Sequence, residues 1–464
     1  MPRLLIAGLS GGSGKTLVTM GLLLLLRRAG IDVRAFKKGP DYIDPSWLAW
    51  ASGHPARNLD AFLMGAELAG TSFRRHAISD GINLVEGNRG LFDGVDAAGT
   101  YSSASLAGTI DAPIALVIDA TKMTRTAAAL VLGCQKLESH GLIQAVILNN
   151  VNGERHEGVL RKAIESECAI PVIGALPRMA ANPISERHLG LVPPDEHREM
   201  SQVEQSLSAW MGGRIDLDAL LTLARKAPCL NSVAELRGPS PDARGIKIGY
   251  LRDTAFSFYY PENLEDLERA GAELVRISAL DAPALPAGLN ALYIGGGFPE
   301  THARALSANA GFLNSLRVAC AAGLPVYAEC GGLMLLARSL TWNGIRYPMA
   351  DVFPVEVEAF AKPQGHGYSE LLVDAPNPFL PHGSHLRGHE FHYSRIVGGF
   401  DRVDSACAVL RGTGCFAGRD GLIVNNTMAA YTHLHATAAP EWAAGMIGAA
   451  REYAGRMRPA LLRA

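Results

Sequence analysis

The sequence predicts an α/β fold in two domains, the first of them built on a parallel β-sheet. Three observations support this prediction. Short apolar runs bounded by Gly, Pro, Asn or Asp alternate with helical stretches through the first half of the chain. A second strand–helix series of the same kind begins near residue 246. The length of 464 residues favours two or three domains over one.

The elements of the first series follow one another closely along the chain. Its predicted strands are 4–9, 33–36, 83–86, 114–119, 145–149 and 171–175, and a helix is predicted over 17–29, where Gly30 ends it. The second series has predicted strands at 246–251, 273–277, 291–294 and 325–328 and a closing helix over 440–457. We therefore predict a first domain over 1–200, a linker region over 201–243, a second domain over 244–440 and a C-terminal helix over 441–464.

Composition and charge exclude several classes of protein. With 48% apolar and 19% charged residues and a net charge of −2, the chain can bury a core but offers no basic surface for nucleic acid. Its apolar runs are too short to cross a bilayer, and its N-terminus continues into a Gly-rich loop rather than a cleavage site. Seven scattered cysteines without a Cys-x-x-Cys pair indicate a reduced, cytoplasmic setting rather than disulfides or structural zinc. We expect neither nucleic-acid nor membrane partners.

A Gly-rich loop follows the first predicted strand and opens the first predicted helix. Residues 8–16 read Gly-Leu-Ser-Gly-Gly-Ser-Gly-Lys-Thr. Backbone N–H groups of such a loop, together with the helix N-terminus, bind phosphate, while the lysine reaches the outer phosphates and the threonine hydroxyl binds Mg²⁺. The residues predicted to bind nucleotide here are Gly12, Ser13, Gly14, Lys15 and Thr16.

The spacing of this loop is one residue longer than the standard phosphate loop. The standard pattern requires glycine at position 9, where this chain has Leu9, and Gly8 stands one residue earlier. This spacing resembles the loop of dethiobiotin synthetase-like ATPases. The strand–loop–helix context favours a nucleotide site over a structural turn.

Acidic residues follow the second and third predicted strands. After the second strand, Lys37 or Lys38 can offset phosphate charge, and Asp41 and Asp44 can supply oxygen ligands to Mg²⁺. Ligands bind at the carboxyl ends of parallel strands, although Gly-Pro-Asp is also ordinary turn chemistry. This segment therefore fits either a site or a turn when it is taken alone.

The third and fifth predicted strands add three more polar candidates. Glu86 ends the third strand as a further Mg²⁺ ligand, and Asp93 lies on the Gly-rich loop beyond it. Several acidic strand ends beside one phosphate loop favour a site over a solvated surface. Asn149, at the end of the fifth strand, can bind an adenine edge or cap a turn.

The sharpest feature of the second half is a cysteine between an apolar strand and an apolar helix. Cys330 is followed by Gly331 and Gly332, and Ala328 stands where the usual nucleophile elbow has its first glycine. The turn exposes the nucleophile, and the helix N-terminus is expected to lower the pKa of its thiol. The alternative is a small buried core residue, which is the commoner fate of cysteine.

Two further segments supply the other parts of an acyl-transfer site. The glycines at 295–297 follow a predicted strand, and we predict an oxyanion hole formed by Gly296, Gly297 and Gly331. His433 and His435 are candidate bases for the thiol. The cluster His-Glu-Phe-His-Tyr-Ser at 389–394 has no diagnostic metal spacing and is expected to line a pocket or an interface.

Taken together, the motifs resemble the cobyrinic acid a,c-diamide synthase family of glutamine-dependent amidotransferases in cobalamin synthesis. The resemblance covers nearly the whole chain, with the motifs in order. They are Ser-Gly-Gly-Ser-Gly-Lys-Thr16, Lys-Gly-Pro-Asp-Tyr-Ile-Asp44, Gly-Leu-Phe-Asp93, Glu-Arg-His-Leu-Gly-Leu191, Ala-Phe-Ser-Phe-Tyr-Tyr260, Ala-Glu-Cys-Gly-Gly332 and Gly-His-Glu-Phe-His-Tyr-Ser394.

The resemblance implies a division of labour between the domains. The first domain would be an ATP-binding amide ligase that uses Lys15, Lys37 and Asn149 for the nucleotide and Thr16, Asp44 and Glu86 for Mg²⁺. Asp41 and Asp93 would act near the substrate or the phosphoryl intermediate. The second domain would be a class I, triad-type glutamine amidotransferase, in which Cys330 attacks glutamine and His433 raises the nucleophilicity of the thiol. Ammonia would then displace phosphate from an acyl phosphate on the tetrapyrrole, and the enzyme is a possible homodimer.

One departure and three alternatives accompany this interpretation. Triad glutaminases place Glu two residues after the catalytic His, whereas this chain has His435 there, so the third member is absent or comes from elsewhere. The substrate could instead be another sirohydrochlorin-derived ring, such as the nickel or iron form. From other classes, the chain could be a P-loop switch ATPase with an inactive glutaminase fold, or a glutaminase alone, although the latter leaves the phosphate site unexplained.

Overall fold

The computed structural model describes residues 1–138, 140–187, 190–197, 199–230 and 243–461, and it divides the chain into two units, Met1–Glu235 and Leu236–Ala464. The strands of the first unit are β1 Arg3–Gly8, β2 Val33–Lys38, β3 Arg57–Leu59, β4 Ile82–Gly90, β5 Ile114–Asp119, β6 Ile143–Val151, β7 Val172–Pro177, β8 Glu186–Arg187 and β9 Gly190–Leu191. Its helices are α1 Lys15–Arg28, α2 Ile43–Ser52, α3 Ala61–His76, α4 Ser103–Thr109, α5 Thr126–Leu137, α6 Gly153–Cys168, α7 Met200–Met211 and α8 Leu217–Arg225.

The first unit contains a seven-stranded sheet in the order β3-β2-β4-β1-β5-β6-β7. All of its neighbouring strands pair in parallel. The central strand β1 is buried along its whole length, as expected for a parallel sheet that helices cover on both faces. This arrangement confirms the predicted parallel-sheet domain, and it brings the carboxyl ends of β1, β2 and β4 side by side.

Part of the region predicted as a linker is helical. The helix α7 buries Val203, Leu207 and Met211, and a Cβ placed at Gly21 of α1 would lie 2.5 Å from Cγ of Met211. Because this apolar stripe packs against α1, residues 200–225 belong to the first unit rather than to a linker over 201–243. The Gly-Pro-Ser-Pro-Asp stretch within 231–242 lies outside the described residues, as do residues 188 and 189 of the Glu186–Gly190 motif.

The second unit has more strands than the sequence predicted. Its strands are β10 Lys247–Leu251, β11 Phe256–Phe258, β12 Glu273–Ile277, β13 Ala291–Ile294, β14 Gly296–Gly297, β15 Val326–Glu329, β16 Ala337–Trp342, β17 Ile345–Pro348, β18 Phe353–Ala359, β19 Gly365–Val373, β20 His385–His392, β21 Ser394–Gly398, β22 Asp404–Arg411, β23 Arg419–Val424 and β24 Thr427–Ala430. Its helices are α9 Pro261–Arg269, α10 Ala303–Ala308, α11 Ala310–Ala321, α12 Gly331–Leu336 and α13 Pro440–Leu461.

A nine-stranded mixed sheet forms the centre of this unit, in the order β12-β10-β13-β15-β24-β23-β22-β19-β20. The strands from β12 to β24 in this order pair in parallel, and those from β24 to β20 pair antiparallel. Alternate residues of β13 enter two different core clusters, Leu292 and Ile294 in one, Ala291 and Tyr293 in the other. Because side chains alternate across a strand, the sheet is covered on both faces.

The helix predicted over 440–457 is present as α13. Within the described ranges, no helix combines the length and the apolarity that crossing a membrane requires.

Candidate functional site

The predicted phosphate loop connects β1 to α1 through backbone conformations that require glycine. Gly14, with φ 85°, precedes the first residue of α1, and Gly12 has φ 76°. A Cβ at Gly14 would lie 2.3 Å from Nδ2 of Asn149, and one at Gly8 would lie 2.1 Å from Oγ of Ser13. Gly8 therefore leaves room for the side chains of Ser13 and Lys15 beneath the loop.

Lys15 folds back over the loop that precedes it. Its Nζ donates to the carbonyl oxygen of Ser10 at 2.9 Å and to Oγ of Ser13 at 3.4 Å. Burial, and then the neighbouring Lys37, lower the pKa of Lys15 below its ordinary value. The two lysines thus destabilise each other's positive charge, and an anionic polyphosphate at this loop would relieve that repulsion.

The predicted Mg²⁺ ligands converge next to the loop. Lys37 of β2 lies opposite Glu86 of β4 in the sheet register, and its Nζ is 2.6 Å from Oε1 of Glu86 and 2.6 Å from Oδ2 of Asp44. Oγ1 of Thr16 donates to Oε1 of Glu86 at 2.9 Å. Asp44 reaches this point from the first turn of α2. Two strands, β2 and β4, and the first turns of two helices, α1 and α2, therefore bring these four side chains together.

The charges of this cluster are strongly coupled. Burial raises the pKa of Glu86, and Lys37 partly offsets that rise. Although burial opposes it, Lys37 lowers the pKa of Asp44, and the two carboxylates in turn raise the pKa of Lys37. Burial and the neighbouring Asp44 raise the pKa of Asp41 to about 7. The cluster holds more carboxylate than ammonium, which favours an additional cation.

The donor set of this cluster suits magnesium. Thr16, Asp44 and Glu86 offer only oxygen atoms, and Oε2 of Glu86 is buried without a hydrogen-bond partner in the described part of the chain. No group of three or more His, Cys, Asp or Glu side chains among the described residues is arranged to hold a metal. Mg²⁺ on a nucleotide needs no such cage, because it is bound by one or two carboxylates together with phosphates and water.

Three other predicted residues have local partners. Oδ1 of Asp41 accepts from the backbone N–H of Ile43 at 2.9 Å, and Oδ2 of Asp93 accepts from that of Gly90 at 2.8 Å. Asn149 donates from Nδ2 to the carbonyl oxygen of Ser13 at 3.1 Å, and its Oδ1 accepts from the following backbone N–H at 2.9 Å. Each end of that amide has a backbone partner, so Asn149 supports the phosphate loop, and its predicted contact with adenine stays a prediction.

In the second unit, the predicted nucleophile occupies a sharp turn between β15 and α12. Cys330 has φ 48° and ψ −98°, a conformation that L-residues rarely adopt. Its N–H donates to the carbonyl oxygen of Ala430 on β24 at 2.7 Å. A Cβ at Gly332 would lie 2.6 Å from the carbonyl oxygen of Ile294, so the turn also requires glycine there. This is the geometry of the predicted nucleophile elbow.

The thiol differs from the prediction in one respect. The start of α12 was expected to lower the pKa of Cys330, but burial raises it, and the negative charge of Glu300 adds to the rise. The N–H of Gly331 opposes this effect without overcoming it. The side chain is only 6% exposed, and α12 has only six residues, so desolvation outweighs the helix N-terminus.

We expect the free protein to react slowly with thiol reagents at Cys330. Because burial raises the pKa of this thiol, its thiolate fraction near pH 7 lies below that of an ordinary cysteine, and the iodoacetamide alkylation rate should keep rising above pH 8. Peptide mass spectrometry over a pH series measures this rate. The exposed Cys229 provides an internal control and should be alkylated first. A Cys330 rate that levels off below pH 7 would contradict this expectation.

The predicted oxyanion glycines and His433 lie around the elbow. Gly296 and Gly297 form the short strand β14, which pairs with β11, and a Cβ at Gly331 would lie 3.1 Å from the backbone nitrogen of Gly297. A Cβ at Gly296 would lie 2.6 Å from Cε1 and 3.4 Å from Nε2 of His433. The glycine loop therefore contacts both the residue after the nucleophile and the imidazole.

One residue of this site was not predicted. Glu329 is fully buried immediately before Cys330, and its Oε2 lies 3.4 Å from Nδ1 of His433. Its Oε1 accepts from the backbone N–H of Leu434 at 3.0 Å. A carboxylate at the end of an apolar strand was a usable signal, because a buried carboxylate requires polar partners.

Two other histidines surround His433. His389 exchanges two backbone hydrogen bonds with it, and the two rings stack at 5.0 Å. Burial, and then His433, lower the pKa of His389 well below its ordinary value. His435, the second predicted candidate base, instead directs its Nε2 toward Oε2 of Glu262 at 3.6 Å and packs against Tyr260. Of the two candidates, His433 is the one in contact with the glycine loop.

Comparisons with known proteins match both units. Residues 4–191 match the family model of the CobQ/CobB/MinD/ParA nucleotide binding domain, and residues 247–441 match that of the CobB/CobQ-like glutamine amidotransferase domain. Two relatives named cobyrinate a,c-diamide synthase are similar over nearly their full length. The Magnetococcus marinus protein is 43% identical over 96% of each chain. The Archaeoglobus fulgidus protein is 38% identical over 94% of each chain.

Proposed function

The chain belongs to the cobyrinate a,c-diamide synthase family, and from this premise we propose that it uses ATP and glutamine to convert the a and c side-chain carboxylates of cobyrinate into amides. One observation carries the proposal. A single chain holds a phosphate loop with clustered carboxylates and a cysteine elbow beside a glycine loop that also contacts a histidine. The first site suits activation of a carboxylate, and the second suits release of ammonia from glutamine.

In the first step, the substrate carboxylate oxygen attacks the γ-phosphorus of ATP, the bond to the β-phosphate oxygen breaks, and ADP leaves. Lys15 and the N–H groups of the loop stabilise the negative charge on the phosphates during this transfer. We propose that Asp41 and Asp93 lie near the substrate carboxylate and the resulting acyl phosphate. Asp93 interacts electrostatically with Lys15, and Oδ2 of Asp41 lies 4.0 Å from Nζ of Lys37. Both contacts place these carboxylates beside the phosphate-binding lysines, which supports the proposal.

In this proposal, Thr16, Asp44 and Glu86 would hold Mg²⁺. The ion would neutralise charge on the nucleotide phosphates. The buried Oε2 of Glu86 and the all-oxygen donor set support this assignment. Lys37, whose Nζ is already 2.6 Å from each of the two carboxylates, bridges them and offsets their mutual repulsion.

The second site generates the nitrogen nucleophile. The Cys330 thiol gives its proton to Nε2 of His433, and the sulfur attacks the side-chain amide carbon of glutamine. The N–H groups of Gly296, Gly297 and Gly331 are the proposed donors to the oxyanion. The imidazolium returns the proton to the departing nitrogen, and ammonia leaves as the C–N bond breaks. Water then hydrolyses the thioester to glutamate and restores the thiol.

Amide formation follows when ammonia attacks the acyl phosphate carbon. Inorganic phosphate is the leaving group, so each amide consumes one ATP and one glutamine. Two such cycles on one ring yield the a,c-diamide. The resting thiol, whose pKa is raised, also suits a glutaminase that works fully only with both substrates bound.

The deciding experiment couples ATP hydrolysis to glutamate release in purified protein with Mg²⁺ and glutamine. Cobyrinic acid, hydrogenobyrinic acid and metal-loaded sirohydrochlorins are compared, with mass spectrometry of the ring. We expect two acid-to-amide conversions on the cobyrinate-type ring. ATP turnover without a ring product on any of them would instead favour a nucleotide-dependent switch.

Removing one carboxylate should weaken the use of magnesium. Because Glu86 is fully buried beside Thr16, Glu86→Gln is expected to raise the half-saturating Mg²⁺ concentration for ADP release by about tenfold or more. A titration of Mg²⁺ at fixed ATP measures this shift, and Asp218→Asn, an exposed residue on α8, serves as the control. An unchanged half-saturation in Glu86→Gln would contradict its assignment as a ligand.

We also propose a reducing, cytoplasmic location, because all seven cysteines are free in the structure. The homodimer suggested by the sequence stays a prediction, which sedimentation of the purified protein can test.

A further inference from the structure

The histidine of a cysteine triad needs a carboxylate to orient it, and the usual position for that carboxylate holds His435. The imidazole of His435 does not replace it, because its Nε2 is directed toward Glu262 at 3.6 Å and its ring packs against Tyr260 at 4.5 Å. The position that usually supplies the carboxylate of the triad therefore does not supply it in this chain.

A buried carboxylate approaches His433 from a different element. Glu329 is the last residue of β15, and in the sheet register it lies opposite Ala430, three residues before His433. From there its Oε2 comes within 3.4 Å of Nδ1 of His433. The strand that presents the nucleophile thus also presents an acid to the base.

Three neighbours fix the orientation of this carboxylate. Oε1 accepts from the N–H of Leu434 at 3.0 Å, Oε2 accepts from the hydroxyl of Tyr293 at 3.0 Å, and the hydroxyl of Tyr327 is 3.4 Å from Oε1. A side chain with no exposed surface and this many donors has little freedom to turn. It can therefore hold a neighbouring ring in one orientation.

The two ring nitrogens of His433 face different partners. Nδ1 faces Glu329, whereas Nε2 lies on the side of Gly296, where an added Cβ would be 3.4 Å away. The next residue, Gly297, has its backbone nitrogen close to Gly331 of the elbow. This orientation leaves Nε2 as the nitrogen available to the thiol.

We propose that Glu329 is the positioning residue of the glutaminase site and completes a Cys330–His433–Glu329 triad. The inference rests on the proposed function, because it concerns the same base. Glu329 keeps the proton of neutral His433 on Nδ1, so that Nε2 can accept the proton of the thiol. It then stabilises the imidazolium until that proton passes to the leaving ammonia.

Glu329→Gln separates this role from a structural one. Glutamine keeps an oxygen in the place of Oε1, which can still accept from the N–H of Leu434 and the hydroxyl of Tyr327, so most of a structural role would survive. Its NH₂ group would donate to Nδ1 of His433 and leave the proton on the wrong nitrogen. We expect kcat for glutamate release to fall by about 10²- to 10⁴-fold, with KM for glutamine changed less than about threefold.

A second readout follows the proton itself. In protein labelled with ¹⁵N-histidine, the signal of His433 is identified among the 14 histidines by its absence in His433→Asn. In the wild type its Nδ1 should be the protonated nitrogen, and in Glu329→Gln it should be Nε2. Glu329→Asp, which restores the charge, should recover part of kcat.

Glu262→Gln tests the competing buried carboxylate of the same unit. It is expected to keep kcat within about threefold of the wild type, because Glu262 contacts His435 rather than His433. Full glutaminase activity in Glu329→Gln, or a larger loss in Glu262→Gln, would overturn the proposal. Cys330→Ala, measured alongside, distinguishes the two levels of failure. If it still consumes glutamine, the proposed function itself fails, whereas an inactive Cys330→Ala beside an active Glu329→Gln rejects only the triad.

Discussion

Cys330→Ala is expected to lose glutamine-dependent amidation and to keep amidation driven by added ammonia. The substitution removes the sulfur that forms the thioester, and no other cysteine in the described residues occupies an elbow with this geometry. Glutamate release should fall by about 10⁴-fold or more, as expected when a covalent nucleophile is removed. The phosphate loop lies in the other unit and is unchanged, so carboxylate activation should continue.

The measurement is ring amidation by mass spectrometry, with glutamine and then with ammonium chloride as nitrogen donor. Cys320→Ala is the matched control, because Cys320 is a buried cysteine on α11 that faces the core. It should retain both activities. Retained glutamine-driven amidation in Cys330→Ala would remove the basis for the glutaminase assignment.

Lys15→Ala is expected to lose amidation with either nitrogen donor. Lys15 is the ammonium group of the phosphate loop, and the low exposure of its side chain, 7%, increases the electrostatic effect of its charge on a bound polyphosphate. Without it the acyl phosphate does not form, and ammonia has no leaving group to displace. Ring product should fall by at least about 10²- to 10³-fold with glutamine and with ammonium chloride alike.

The two variants together test whether the sites act in series. ADP release and ring mass are measured for Lys15→Ala, with Lys136→Ala, an exposed lysine of α5, as the control. Normal ADP release and normal ammonia-driven amidation in Lys15→Ala would show that another group activates the carboxylate. A loss of only the glutamine-driven reaction would show that Lys15 acts in the release of ammonia rather than in the activation of the carboxylate.

The parts of the site that depend on a short continuous segment of the chain were predicted from the sequence. The phosphate loop and the elbow are each a strand, a Gly-rich turn and a helix in immediate succession, so their residue order nearly determines their geometry. The strands 114–119, 273–277 and 291–294 were predicted with the bounds that the structure has. The apolar runs 114–119 and 291–294 reflect burial on both faces of a sheet, whereas 273–277 forms the partly exposed edge strand β12.

Prediction failed where distant segments decide the outcome. The strands between residues 337 and 424 were also not predicted, although β18, Phe-Pro-Val-Glu-Val-Glu-Ala, alternates buried and half-buried residues as a half-buried strand does. The packing of Gly14 against the amide of Asn149 was not predicted either, because nothing local in the sequence shows it. Glu329 meets His433 only because β15 and β24 are neighbours, and that pairing joins residues about a hundred positions apart.

The backbone at Cys330 gives the chain a conflict between folding and chemistry. A residue other than glycine at φ 48° and ψ −98° carries a strain on the order of 1–3 kcal/mol. The hydrogen bond to Ala430 and the packing of Gly331 and Gly332 hold it in that conformation against this cost. Glycine at position 330 would remove the strain, but it would also remove the thiol on which the reaction depends. The position of the nucleophile is therefore also one at which the native residue lowers the stability of the fold, a trade-off between activity and stability confined to a single residue.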